Sequence, residues 1–122
     1  MKIINLTPHD VKVLDAYAAR IVGFYPRSGM IARVNTFTAL EAPDILKCDD
    51  NPEVPFYITA FLNTEFLPAP KKDVYYIVSS VVKAANPERN DLLVPHDLVR
   101  NEDGAVIGCR GLALQRVAEK VE

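Results

Sequence analysis

At 122 residues, with 49% apolar and 25% charged side chains, the chain has the composition of one globular domain (1–122) with a real core, which excludes a disordered segment. A formal charge of -2 and a pI near 5.7 exclude a protein that grips polymeric nucleic acid through many phosphates. A small anionic ligand stays open, because it needs only a few well-placed arginines.

In chain order, "KIINL" reads as a short strand stopped by Thr7-Pro8. "VKVL" (11–14) resumes with β-branched residues, so Pro8-His9-Asp10 is the connecting turn. "ARIVGFYP" (19–26) and "MIARVNTF" (30–37) predict a hairpin around Pro26-Arg27-Ser28-Gly29, with Arg27 and Ser28 at its tip. Residues 38–53 read as acidic loop with a short helix around 44–47, followed by the β-rich, aromatic "VPFYITAFL" (54–62). "VYYIVSSVVKAANPER" then begins as a buried strand, takes Ser79-Ser80 as a helix start and ends the helix by Asn86, before Pro87. "LLVP" (92–95), "LVRN" (98–101) and "AVIGCRGLALQRV" (105–117) supply further strands, the last two joined by the turn "NEDG" (101–104). The expected fold is α+β: a mainly antiparallel sheet of six to eight short strands with one or two short helices in a single small domain.

Cys48 and Cys109 lie far apart with no CxxC or Cys/His spacing, so no metal site is expected. The opening residues carry no apolar signal segment and no run approaches a membrane span, which predicts an intracellular protein with reduced thiols and no membrane partner. His9 and His96 are the two histidines, each between a proline and an aspartate. A metal needs three or four convergent ligands, and none of the usual ligand or triad patterns surrounds either histidine, so the echo reads as turn chemistry.

Three arginines are predicted at tight bends: Arg27 in "PRSG", Arg89 in "NPERND" and Arg110 in "GCRG". A guanidinium presents a flat fork of donors that matches phosphate oxygens bidentately. Gly108 and Gly111 would let the chain bend around Arg110 or let a ligand approach the backbone. Met30, Tyr76 and Leu92 stand near these arginines in sequence, as a nucleobase pocket requires. Asn90 and Asp91 can read hydroxyls and ring nitrogens, or can simply hold a turn. An anion pocket and solvent-facing loop arginines both remain open on spacing alone. No Walker loop, GxGxxG, DxD or nucleophile elbow occurs, so no catalytic group and no cofactor is expected.

"KIINLTPHDV", "YPRSGMIARV", "LPAPKKDVYYIVSSVVKAA", "NPERNDLLVP" and "VRNEDGAVIGCRGL" together resemble the Thoeris anti-defence protein 1 family of phages. The likeness covers most of the chain, most strongly 1–13 and 66–113, and fades across 38–55 and the last residues. It implies a non-enzymatic sponge in the host cytoplasm that sequesters the cyclic ADP-ribose isomer made by a bacterial TIR-domain enzyme. It further implies a homodimer, in some members a hexamer as a trimer of dimers, with the ligand at the dimer interface and cyclic oligonucleotides at separate sites of hexameric members. Carried onto matching positions, the ligand-binding residues are Arg27, Ser28 and Met30, then Arg89, Asn90 and Asp91, and Arg110. Arg27 and Arg110 would fork onto phosphates, Asn90 and Asp91 would read ribose or base, and Met30 with one of Tyr25, Tyr57, Tyr75 or Tyr76 would sandwich adenine. The alternative is a small nucleotide hydrolase or lyase using His96 or Asp91 as general base. A phage structural protein with no ligand is the third reading.

Overall fold

Val74-Tyr75-Tyr76-Ile77 shows why the domain has two apolar layers. Successive strand residues point to opposite faces, and all four side chains are largely apolar, so this strand must be covered on both sides. The computed structural model, which describes residues 1–17, 20–40, 49–51 and 53–114, does so, leaving Tyr76 and Ile77 at most 1% exposed. Its elements are β1 (Lys2–Asn5), β2 (Val11–Leu14), β3 (Ile21–Tyr25), β4 (Arg33–Leu40), β5 (Tyr57–Glu65), β6 (Val74–Ile77), α1 (Ser80–Ala85), β7 (Leu92–Arg100) and β8 (Val106–Leu114). The α+β architecture and the dominance of antiparallel pairing agree with the sequence: the two longest ladders, β7 with β8 and β4 with β5, are antiparallel.

Six strands form one sheet in the order β1-β6-β7-β8-β2-β3, and β4 and β5 form a separate two-stranded ribbon. β1, β6 and β7 run parallel, β8 returns antiparallel to β7, and β2 lies parallel to β8 with β3 antiparallel beyond it. The sheet curls until its two edge strands meet through a parallel bridge between Asn5 and Arg27. It is a half-closed barrel, and closure removes free strand edges that would otherwise recruit other chains.

The curl creates an inside and an outside. Val11, Ile77, Leu93 and Cys109 form the inner cluster, with Ile3, Val13, Tyr25, Tyr75, Leu112 and Leu114 packed around them. Leu6, Tyr76, Val78 and Leu92 form an outer cluster, covered by Val82 of α1 and by Ala32. Cys109 is a free, buried thiol. The helix begins as expected: Ser79 is its N-cap, accepting from the Val82 amide at 3.3 Å, and Asn86 closes it before Pro87.

Three expectations are corrected. First, β3 and β4 do not form a hairpin: β3 pairs with β2, and β4 pairs with β5. The Pro26–Gly29 segment does turn, with Gly29 at φ 93°. The chain beyond it, however, runs along β1, where Ser28 and Ala32 amides donate to the Asn5 and Leu6 carbonyls at 3.1 and 3.0 Å. An open strand edge outcompetes the local hairpin. Second, residues 92–100 form one strand, with Asp97 at φ 58° and a register shift between Val99 and Arg100. The Pro-His-Asp echo is therefore a turn at His9 and a strand at His96. Third, Arg110 lies mid-strand, not in a bend between glycines. The expected 44–47 helix lies outside the described residues.

Gly108 has a packing reason instead. A Cβ there would stand 2.9 Å from the Lys12 carbonyl oxygen and 3.0 Å from Leu14, so β8 and β2 could not keep their spacing. Gly108→Ala is expected to destabilise the fold by about 1–3 kcal/mol, as overpacking does. Gly111→Ala meets nothing within 4 Å and serves as the control in urea unfolding.

Candidate anion-binding site

The site is built on the turn that follows β3. Pro26 ends the strand, and the Arg27 amide donates to Asp10 Oδ1 at 3.0 Å while the backbone bridges to Asn5. The Arg27 side chain is 67% exposed and its Nε lies 3.9 Å from the same Asp10 oxygen. An exposed pair at that distance contributes little, so most of the guanidinium's donors face solvent. Ser28 Oγ accepts from the Met30 amide and donates to the Met30 carbonyl, both at 3.3 Å. The serine thus holds the turn, and Met30 is exposed beside it.

Next to this turn in sequence, an open cleft of about 350 Å³ is bounded by Leu6, Thr7 and Pro8, by Ile31–Val34, and by Ser79, Val81 and Val82; Arg27, Ser28 and Met30 do not line it. Its lining is chiefly apolar, with Arg33 as its cation. Sequence reading missed Arg33 because it sits inside a β-rich stretch; the signal available was its spacing six residues from Arg27 across a glycine turn.

Asn5 anchors the whole corner. Its side-chain amide donates to the His9 and Tyr25 carbonyls at 2.7 and 2.9 Å. Its Oδ1 accepts from the Thr7 amide and hydroxyl at 2.9 and 2.7 Å. It is 2% exposed, so its own side chain is shielded from bulk water. Asn5 also escaped the sequence reading.

The remaining sequence candidates stand elsewhere in the subunit. Asp91 grips Arg89 bidentately, Oδ1 to Nε and Oδ2 to Nη2, both at 2.8 Å, and Nη2 also donates to the Pro68 carbonyl. The pair is largely buried, and the Asp91 hydrogen bond raises the Arg89 pKa above the usual arginine range against the opposing effect of burial. β1 and β6 separate β7, which Asp91 precedes, from the Arg27 bridge. Asn90 is exposed between the two charged residues. Arg110 lies one residue past the Val13–Cys109 pair, whereas Arg27 lies beyond the Val11–Tyr25 pair. The two backbones are therefore roughly 16 Å apart along the strand direction alone. Arg110 makes one long contact, 3.4 Å to Asp97, and both side chains are well exposed.

One subunit brings together Arg27, Ser28 and Met30, and joins Arg89 to Asp91; it does not gather the three arginines. Of the four tyrosines considered for stacking, Tyr76 is sealed in the core, Tyr25 and Tyr75 pack on the inner cluster, and Tyr57 is exposed. Among the described residues no group of His, Cys, Asp or Glu could hold a metal, and no helix is long and apolar enough to cross a membrane. Comparison with family models, curated proteins and solved structures returned no match.

Proposed function

We propose that this protein binds and sequesters a cyclic ADP-ribose isomer without turning it over, in the host cytoplasm, so that the product of a bacterial TIR-domain enzyme never reaches its Thoeris effector. The observation that carries the reading is the "PRSGM" turn. Its backbone is fixed by bonds from Asn5 and Asp10, while the Arg27 guanidinium is left largely uncommitted. A donor fork pre-positioned on a rigid turn loses little conformational freedom on binding. The sequence resemblance supplies the ligand class, and the apolar cleft next to the turn in sequence suits a nucleobase.

A sponge must hold its ligand near nanomolar, roughly -12 kcal/mol. Two or three charge-assisted hydrogen bonds at about 1.5–3 kcal/mol each, with a stacked base, reach that scale after the ordering cost. Arg27 and Arg110 stand too far apart to share one pyrophosphate within a subunit. The reading therefore includes a homodimer in which arginines from two chains converge; the resemblance adds a trimer of dimers as its larger form and cyclic oligonucleotides as a second ligand class.

The experiment is to mix protein and cyclic nucleotide, remove free ligand and heat-denature. Intact ligand in the supernatant is the expected result; a hydrolysed product would establish the hydrolase reading instead. By calorimetry, Arg27→Ala and Arg110→Ala are each expected to weaken binding about 10- to 100-fold. Unchanged affinity in both variants overturns the proposed site.

A further inference from the structure

The two Pro-His-Asp copies, 8–10 and 95–97, share no backbone: the first lies between β1 and β2, the second inside β7. They share a destination. The described residues form three arginine–carboxylate pairs. The two exposed ones take their carboxylates from these copies, Asp10 against Arg27 and Asp97 against Arg110. Those are also the two arginines assigned above to phosphates.

Both pairs are loose, unlike the bidentate clamp of Asp91 on Arg89. Arg27 Nε stands 3.9 Å from Asp10 Oδ1, an oxygen that already accepts from the Arg27 amide at 3.0 Å. Arg110 Nη1 stands 3.4 Å from Asp97 Oδ2. The other carboxylate oxygens, Asp10 Oδ2 and Asp97 Oδ1, accept no hydrogen bond from the described residues. Each module thus shows solvent a fork of donors with an open acceptor beside it. The second module is also held under strain. The pairs His96–Gly111 and Leu98–Cys109 set residue 97 opposite Arg110, and Asp97 takes φ 58° there. A left-handed residue inside a strand costs stability, and such strain gathers where a site fixes a side chain. An exposed ion pair is too weak to explain it.

We propose, building on the phosphate roles given to Arg27 and Arg110, that Asp10 and Asp97 select ribosyl phosphates over other phosphates. The guanidinium donates to the phosphate oxygens while the neighbouring carboxylate accepts from a sugar hydroxyl. A phosphate without a sugar meets the same carboxylate with negative charge alone. Like charges about 4 Å apart weaken binding by roughly five-fold in water, and by more where water is excluded. The aspartate therefore rewards one ligand and penalises the other. It takes over the hydroxyl reading expected of Asp91, whose two oxygens are committed to Arg89. A cyclic ADP-ribose isomer carries two ribosyl phosphates, one for each kind of module.

The test titrates the intact, isotopically labelled chain with ribose 5-phosphate and with methyl phosphate, reading dissociation constants from the NMR signals of Arg27 and Arg110. At about pH 8 both probes are dianions, so the sugar is what separates them. Wild type is expected to prefer ribose 5-phosphate by at least about 10-fold at each module. Asp10→Asn should tighten methyl phosphate about five-fold at Arg27 and bring the two probes within about two-fold there, leaving Arg110 unchanged. Asp97→Asn should do the converse. Asparagine keeps an acceptor for the Arg27 amide and tolerates positive φ, and the untouched module in each variant reports that the fold is intact. Equal responses to the two probes in wild type, or a preference that survives at the altered module of either variant, overturn the proposal. Both preferences without capture of a cyclic ADP-ribose isomer would keep the aspartates and reject the sponge; capture without the preferences would do the reverse.

Discussion

Replacing Asp91 with alanine is expected to cost about 3–5 kcal/mol of stability and to lower the melting temperature by more than about 10 °C. The reason lies in what the substitution strands. Asp91 accepts two 2.8 Å bonds from Arg89, and side-chain exposure is only 13% and 9% for the two partners. Removing the carboxylate leaves a buried guanidinium with the Pro68 carbonyl as its remaining partner. The double variant Arg89→Met/Asp91→Leu removes both charges and should recover most of the loss, because an apolar pair of similar volume often matches a buried ion pair. Differential scanning calorimetry on the four proteins of the cycle measures this directly. If Asp91→Ala melts within about 2 °C of wild type, the pair is not structural.

The same cycle separates two roles. If the recovered double variant binds nucleotide like wild type, Arg89 and Asp91 serve the fold; if affinity collapses, they serve the ligand. Raising pH should not reproduce the effect. Arg89 has a raised folded-state pKa, chiefly through its hydrogen bond with Asp91. Its contribution is therefore fully present below the ordinary arginine range and is lost only as pH climbs through the still higher folded value.

What the sequence revealed follows from the range of the forces involved. The helix was legible because its signals are local: Ser79 caps it, and Pro87 enforces its end. The β7–β8 hairpin was legible for the same reason, since Asn101 Oδ1 accepts from the Asp103 and Ala105 amides and Gly104 takes φ 83°. The failure of β3 to pair with β4 was hidden because the chain after β3 is held by the edge of β1, some twenty residues away in sequence. The site divides along the same line. Arg27, Ser28 and Met30 share one turn and were found together. Asn5 was invisible because its worth depends on the carbonyl of Tyr25, twenty residues away, which only the curled sheet brings to it. The Arg89–Asp91 pair forms across a bend before β7, where no strand or helix periodicity announces it.

Asn5→Asp should test the barrel closure more sharply than a truncation. The substitution keeps the shape and the Oδ1 acceptor for Thr7, yet it turns a donor that faces two carbonyl oxygens at 2.7 and 2.9 Å into a carboxylate oxygen. Two hydrogen bonds become two repulsions at a residue 2% exposed. The expected loss at neutral pH is about 3 kcal/mol or more. Burial and the facing carbonyls penalise the charged form, so the folded carboxyl must titrate above the unfolded value of about 3.9. Between those two values the folded state binds more protons, so stability falls as pH rises through the window and recovers on acidification. Relative to wild type at each pH, urea unfolding should therefore show the deficit of Asn5→Asp shrinking from pH 7 to pH 4, whereas the deficit of Asn5→Ala stays flat. Because Asn5 fixes the chain beside Arg27, both variants should also loosen the turn and weaken nucleotide binding under conditions where they remain folded. A deficit that ignores pH would mean that Asn5 does not clasp the barrel shut, and that the Arg27 turn owes its shape to something else.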